Sequence, residues 1–279
     1  MSKIKLYRIT QKKTQEVPST TSELEKSLQG VIENNLDSLL GIRFLRSEYQ
    51  MGKTHGGRID TLGIDENGCP VIIEYKRAIK ENVINQGLFY LDWLLDHQAE
   101  FKLLVMDKLG KDAADRIDWS APRLVCVASD FTKYDEHAVK QINRNIDLVR
   151  YRKFGPDLLA LDLVWRTTAD DLDITDQGEK KPKAKKGPES DDDKLEKTVE
   201  ALDPEMRDLY ESLRSFILAL GDDVSQRRLK LYYAYARIKT FASVVVQKKQ
   251  LLVYLHLDPD TGTREEGFTR DVRKIGHWA

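Results

Sequence analysis

A chain of 279 residues, 41 % hydrophobic and 33 % charged, is long enough for one large or two ordinary domains. Its net charge of −1 excludes a polycation that coats DNA, so any grip on phosphates has to come from a local patch or through metal ions. No apolar run approaches the roughly 20 residues of a membrane span, and Cys69 and Cys126 lack the CxxC or CxxH spacing of a zinc site or disulfide framework.

The first residues, MSKIKLYRIT, lack the apolar core of a secretion signal, and a cytoplasmic location is expected. YRIT reads as a strand. STTSELEKSLQGVIENNLDSLLG then places Leu24, Leu28, Val31, Ile32 and Leu39 near helical spacing, with Ser22 and Glu25 as a capping box and Gly41 at the end. RFLRSEYQ reads as a strand. HGGRIDTLGID is a turn and a strand, ENG a tight turn, and PVIIEYKR a second strand. A helix over NVINQGLFYLDWLLDHQAEF follows, then a strand at PRLVCVASD, a helix at KYDEHAVKQINRN and two strands in IDLVRYRKFGPDLLALDLVW. This order predicts an α/β fold, a mixed sheet flanked by helices.

DQGEKKPKAKKGPESDDDK has no aromatic or large apolar residue and opposed charge blocks, the composition of a flexible spacer. The reading is one domain over 1–170, a flexible charged linker over 171–199 and a small α+β accessory domain over 200–279. In the last, DPEMRDLYESLRSFILALG is helical and RLKLYYAYARIKTFASVVVQKKQLLVYLHLD is a run of strands.

The chemistry concentrates in RIDTLGIDENGCPVIIEYKR. Strand periodicity puts Glu74 and Lys76 on one face of VIIEYKR, with Ile73 and Tyr75 on the other. Counted outward from a tight ENG turn, Asp60 and Glu74 are not directly opposite, and a bulge or bend near Asp60 is required to bring them together. Two converging carboxylates repel. An oxygen-loving divalent ion removes the conflict, and Mg²⁺ or Mn²⁺ is the expected cofactor. Such an ion makes water a better nucleophile at neutral pH, and Lys76 is placed to orient that water or to stabilise phosphate charge. The plain alternative is a Glu74–Lys76 ion pair on a solvated face. Gln86 and Tyr90 lie four apart on one face of the next helix and can reach over the same spot. Glu25 offers a third carboxylate, with Glu33 as a weaker substitute.

The series Glu25, Asp60, Glu74-Tyr75-Lys76, Gln86-x-x-x-Tyr90 resembles the PD-(D/E)XK nuclease superfamily. Within it, GRIDTLGIDENGCPVIIEYKR is similar to the NucS-like endonucleases and Gln-x-x-x-Tyr to the RecB-type nucleases. The resemblance spans about residues 20–165, and Ile59 stands where the superfamily name has proline. It implies a restriction-endonuclease-like sheet and a DNA endonuclease, with DNA as the partner. Asp60, Glu74 and the carbonyl of Tyr75 would hold the metal. Lys76 would be the catalytic lysine, assisted by Gln86, Tyr90 and Glu25. Roles in DNA repair or anti-phage defence, alone, as a homodimer or with a partner protein, stay open. The superfamily also has RNA-cleaving and inactive members, so a non-catalytic nucleic-acid-binding or assembly protein on this scaffold is the alternative. Residues 205–279 resemble a small domain of uncharacterised function often joined to nucleases.

Two basic groups are candidate auxiliary phosphate contacts. One is Arg227, Arg228, Lys230, Arg237, Lys239, Lys248 and Lys249 among Tyr232, Tyr233, Tyr235 and Phe241; the other is Arg150, Arg152 and Lys153.

Overall fold

A computed structural model describes residues 4–20, 25–52, 56–76, 83–169, 193–262, 265–273 and 275; the side chains of Glu25 and Asp193 lie outside the description. The chain divides into two compact units, residues 1–179 and 180–279.

The first unit opens with a ribbon of β1 (Leu6–Thr10) and β2 (Lys13–Val17), followed by the short β3 (Ser19–Thr20). The expected long helix is two: α1 (Glu25–Asn34) and α2 (Leu36–Leu40). Asn35 departs from helical geometry, at φ −128° and ψ 23°, which breaks the run. Gly41 ends α2 at φ 66°, the left-handed conformation that glycine adopts without a steric penalty. The proposed Ser22–Glu25 capping box lies outside the described side chains.

Strands β4 (Ile42–Gln50), β5 (Arg58–Asp65) and β6 (Pro70–Lys76) form an antiparallel meander. The expected helix after β6 is divided at His97 into α3 (Val83–Asp96) and α4 (Gln98–Leu109), followed by the short α5 (Lys111–Ala114). Then come β7 (Arg123–Ala128), α6 (Lys133–Val139), β8 (Asn145–Phe154) and β9 (Leu158–Thr167). Helix α6 is shorter than its sequence suggested. It begins with a capping box between Thr132 and Asp135.

The strand order is β4-β5-β6-β7-β8, with β3 and β9 both paired to β8. β6, β7 and β8 run parallel; the other pairings are antiparallel. This is the expected mixed sheet flanked by helices. On one face Leu62, Ile72, Leu124 and Cys126 pack with Val83, Leu91 and Leu94 of α3. On the other, Thr61 meets Glu33 of α1. At the end of β7 and β8 remote from Lys76, Arg123 is buried between Asp147 at 2.8 Å and Asp65 at 3.6 Å, and Asp147 also takes Arg166 at 2.6 Å. These charges are consumed within the fold.

The second unit packs α7 (Asp193–Glu200) and α8 (Pro204–Leu218) on an antiparallel sheet of β10 (Ser225–Arg228), β11 (Tyr233–Ala236), β12 (Thr240–Gln247) and β13 (Gln250–Leu255). It is the expected small α+β unit. One correction applies at its start: residues 193–199, read as part of the linker, are helical. Leu195 is buried in this unit's core with Leu202, and Val199 packs against it, so the apolar residues at helical spacing outweigh the charged composition. Asp203 caps α8 by accepting from the Met206 N–H at 2.8 Å. Among the described residues no helix is long and apolar enough to cross a membrane.

Candidate active site

The β5–β6 turn fixes the site. Asp65 N–H donates to the Cys69 carbonyl at 2.9 Å, and Ile64 pairs with Pro70. The connection is therefore a residue longer than a two-residue hairpin turn allows. Gly68 sits at φ 85°, where an added Cβ would lie 2.7 Å from the Arg116 carbonyl oxygen. The register continues through Leu62↔Ile72 and Thr61↔Ile73. Its next position sets Asp60 opposite Glu74, which corrects the offset expected from the sequence. No bulge is needed in β5.

At that position the backbone ladder gives way to a reciprocal side-chain exchange. The Asp60 N–H donates to Glu74 Oε1 at 3.1 Å, and the Tyr75 N–H donates to Asp60 Oδ2 at 3.0 Å. Each carboxylate thus uses one oxygen to satisfy the strand that it faces. Glu74 is fully buried, and its Oε2 has no hydrogen-bond partner among the described residues. Burial, then the charge of Asp60, pushes the Glu74 carboxyl up to about 9. Burial also raises Asp60, against the Tyr75 hydrogen bond and the charge of Lys76. Lys76 pulls Glu74 downward too, so its ammonium is felt by both carboxylates.

Asp60 and Lys76 line a cleft of about 520 Å³ with Gln86 and Tyr90 of α3. Gln86 Nε2 donates to the Tyr90 hydroxyl at 2.7 Å, the contact their i,i+4 spacing allows. The structure therefore brings Asp60, Lys76, Gln86 and Tyr90 to one cleft, while Glu74 is fully buried against the Asp60 backbone and is not part of the cleft wall. The Tyr75 ring points to the opposite face, where its hydroxyl lies 3.4 Å from Thr61 Oγ1; only its backbone belongs to the site. The Glu25 side chain lies outside the described residues. Glu33, its substitute, is on the opposite face, accepting from Thr61 Oγ1 at 2.5 Å and Gln29 Nε2 at 3.0 Å. Among the described residues no three His, Cys, Asp or Glu side chains gather as a metal cluster.

Six residues of the cleft wall were not foreseen: Lys26, Gln29, Glu48, Gln50, Gly57 and Arg58. Gln29 is buried and donates to the Asp60 carbonyl at 2.9 Å and to Ser47 Oγ at 3.2 Å, holding β5 from α1. Arg58 shares strand parity with Asp60, a signal that was present in the sequence. Glu48 depends on the β4–β5 register and had no such signal.

The other basic candidates behave as ordinary structure. Arg150 is buried and ion-paired to Asp130 at 3.0 Å and to Asp162. In the second unit Tyr233 and Tyr235 are core, Arg227 is buried, and Arg228 pairs with Glu196 at 3.1 Å. His55 and His277 lie outside the described residues; His97 stacks on Trp93 at 4.4 Å between ring centroids.

Comparison with known proteins adds the following. Residues 195–279 match the family described as "Domain of unknown function (DUF5655)". An uncharacterized protein of Haemophilus influenzae is 28 % identical over 264 residues, covering 92 % of this chain and 84 % of its own. Among solved structures, a repair endonuclease from Pyrococcus abyssi is similar at TM-score 0.30 and 20 % identity, covering 45 % of this chain and 46 % of its own. An EndoMS–double-stranded DNA complex is similar at TM-score 0.29 and 22 % identity, covering 46 % of this chain and 44 % of its own. The chain spans less than half the length of these solved relatives.

Proposed function

We propose that this chain is a divalent-metal-dependent endonuclease that hydrolyses DNA phosphodiester bonds at the Asp60–Glu74–Lys76 cluster. The observation that carries the reading is the orphaned Glu74 Oε2, fully buried beside a second carboxylate. A buried acceptor with no donor costs about 1–3 kcal/mol, and ionising Glu74 beside Asp60 adds charge repulsion. Such a pair is a poor device for stability. An all-oxygen donor set of this kind suits a hard cation, Mg²⁺ or Mn²⁺.

The ion would be held by Asp60 and Glu74, which meet across β5 and β6. Glu74 Oε2, buried without a hydrogen-bond partner among the described residues, would supply the β6 ligand beside the Asp60 carboxylate. The Tyr75 carbonyl follows Glu74 in the chain and completes the proposed set. When bound, the ion supplies phosphate charge neutralisation and a more acidic water. Lys76, felt by both carboxylates, holds positive charge where an attacking water and the scissile phosphate meet. Gln86 and Tyr90 present a linked amide and hydroxyl to the same cleft and orient the phosphate. Asp60 is fixed through its carbonyl by Gln29, which keeps its carboxylate in register with Glu74.

DNA as the substrate draws support from the sequence resemblance to NucS-like and RecB-type nucleases. The test is cleavage of labelled single-stranded, double-stranded and branched DNA by the full chain with Mg²⁺ or Mn²⁺. Cleavage should stop with EDTA and in Lys76→Ala. Cleavage indifferent to both changes removes this site from consideration, and salt-sensitive binding without cleavage favours a non-catalytic nucleic-acid-binding role.

A further inference from the structure

Strand β4 pairs with β5 at Ser47↔Thr61 and again at Tyr49↔Ile59, and the residues left facing each other between these pairs are Glu48 and Asp60. Glu48 is a non-glycine residue at φ 53°, inside a strand. That left-handed conformation costs an L-residue on the order of 1 kcal/mol or more and persists only where the surroundings impose it. Here it interrupts the strand directly across from a proposed metal ligand and leaves the Glu48 carboxylate in the cleft wall. The carboxylate oxygen Oε2 lies 2.6 Å from Arg58 Nε.

Arg58 is on β5, two residues before Asp60, and also lines the cleft. Its side chain is 53 % exposed, and the closest contact of its guanidinium with Glu48 is through the Nε edge. A guanidinium held by its Nε edge leaves two parallel N–H donors for a bidentate oxyanion. Lysine cannot reproduce that fork.

Resting on the nuclease reading of the same cleft, we propose that Arg58 is a phosphate clamp for the nucleic-acid backbone, and that Glu48, turned into the cleft by its left-handed backbone, is the positioning residue that presets it. Arg58 grips a phosphate next to the scissile one and fixes the strand relative to Asp60. Glu48 sets the guanidinium orientation before substrate arrives, so less side-chain freedom is lost on binding. The contact is to backbone rather than base, so it contributes affinity without sequence preference.

The experiment measures binding of a fluorescein-labelled DNA duplex by the full chain, with Ca²⁺ replacing Mg²⁺, across a salt series. Wild type, Arg58→Ala, Arg58→Lys, Glu48→Gln and the Glu48→Gln/Arg58→Ala pair are compared, and Mg²⁺-dependent cleavage by wild type is run alongside. Arg58→Ala should weaken binding uniformly across duplex sequences and reduce the slope of log affinity against log salt by about 1. Arg58→Lys should keep the slope and still bind less tightly. Glu48→Gln should weaken binding roughly threefold, the scale of one surface ion pair, and should not weaken it once Arg58 is alanine. If Glu48→Gln tightens binding equally in both backgrounds, Glu48 only repels DNA and the clamp is wrong. An unchanged salt slope in Arg58→Ala also overturns it, while wild-type binding and cleavage would leave the nuclease reading standing. A wild-type chain that neither binds nor cleaves overturns both.

Discussion

The backbone N–H of Asp60 is bonded to the side chain of Glu74, its cross-strand neighbour, at 3.1 Å. The Tyr75 N–H returns the bond to Asp60 Oδ2 at 3.0 Å. A sheet ladder has been exchanged for two carboxylates, and the exchange sets both acids at the end of β6 beside Lys76. This position is the carboxyl end of β6, which runs parallel to β7 and antiparallel to β5; carboxyl ends of strands are where open α/β sheets expose their sites.

The raised Glu74 carboxyl makes apo stability depend on pH. Its folded-state pKa, about 9, lies above the ordinary value of 4.5. The stabilisation from keeping it protonated is therefore full below the ordinary value and is lost as pH rises toward 9. In EDTA, thermal unfolding of the wild type should shift to lower temperature between pH 5 and pH 9. Glu74→Gln should flatten that dependence. Added Mg²⁺ should flatten it too, because binding the ion displaces the proton. A parallel decline in Glu74→Gln would place the titrating group elsewhere.

Tyr90→Phe isolates the Gln86–Tyr90 hydrogen bond. The ring packs in the core, so the unfolding midpoint should move little. DNA cleavage should fall on the order of tenfold, the scale of one lost hydrogen bond in a transition state. An unaltered rate would reduce the pair to helix packing.

Gly57 approaches the same tyrosine. At φ 134°, an added Cβ would lie 2.8 Å from Met51 Cε and 3.1 Å from Tyr90 Cε1. Gly57→Ala should cost roughly 1–3 kcal/mol in denaturant unfolding and lower cleavage by displacing Tyr90. Stability within ~0.3 kcal/mol of wild type would show that the loop accommodates the methyl group.

Gln29→Ala removes a buried donor from the Asp60 carbonyl, Ser47 and Glu33. Loss of about 1–3 kcal/mol is expected, since the acceptors keep their burial and lose their partner. Metal affinity should weaken in the same variant, though Gln29 touches neither carboxylate group of the proposed set. Stability loss with unchanged metal affinity would confine Gln29 to a structural role.

The parts of this site legible in the sequence are those set by short periods. Strand alternation put Glu74 and Lys76 on one face and Tyr75 on the other, and helical spacing joined Gln86 to Tyr90. The apolar runs of β7 and β8 likewise announced buried strands. What escaped was set by register and by local breaks. A two-residue turn would offset Asp60 from Glu74, whereas the three-residue turn closed by Asp65 N–H and the Cys69 carbonyl at 2.9 Å sets them opposite. The helix breaks at Asn35 and His97 came without glycine or proline. Glu48 was invisible because its left-handed backbone arises from the pairing of β4 with β5. In the second unit, Leu195, Val199 and Leu202 carried a helical period that the surrounding charge concealed.

Asp60 and Glu74 together hold a hard divalent ion if this chain cleaves DNA at their cluster. Mn²⁺ titrated into the full chain, followed by loss of the free-ion electron paramagnetic resonance signal, measures this without substrate. Wild type should take up Mn²⁺ with an affinity that increases with pH, and Asp60→Asn and Glu74→Gln should each abolish that uptake while remaining folded. Equal Mn²⁺ uptake in wild type and both variants, or none in any of them, would contradict the assignment.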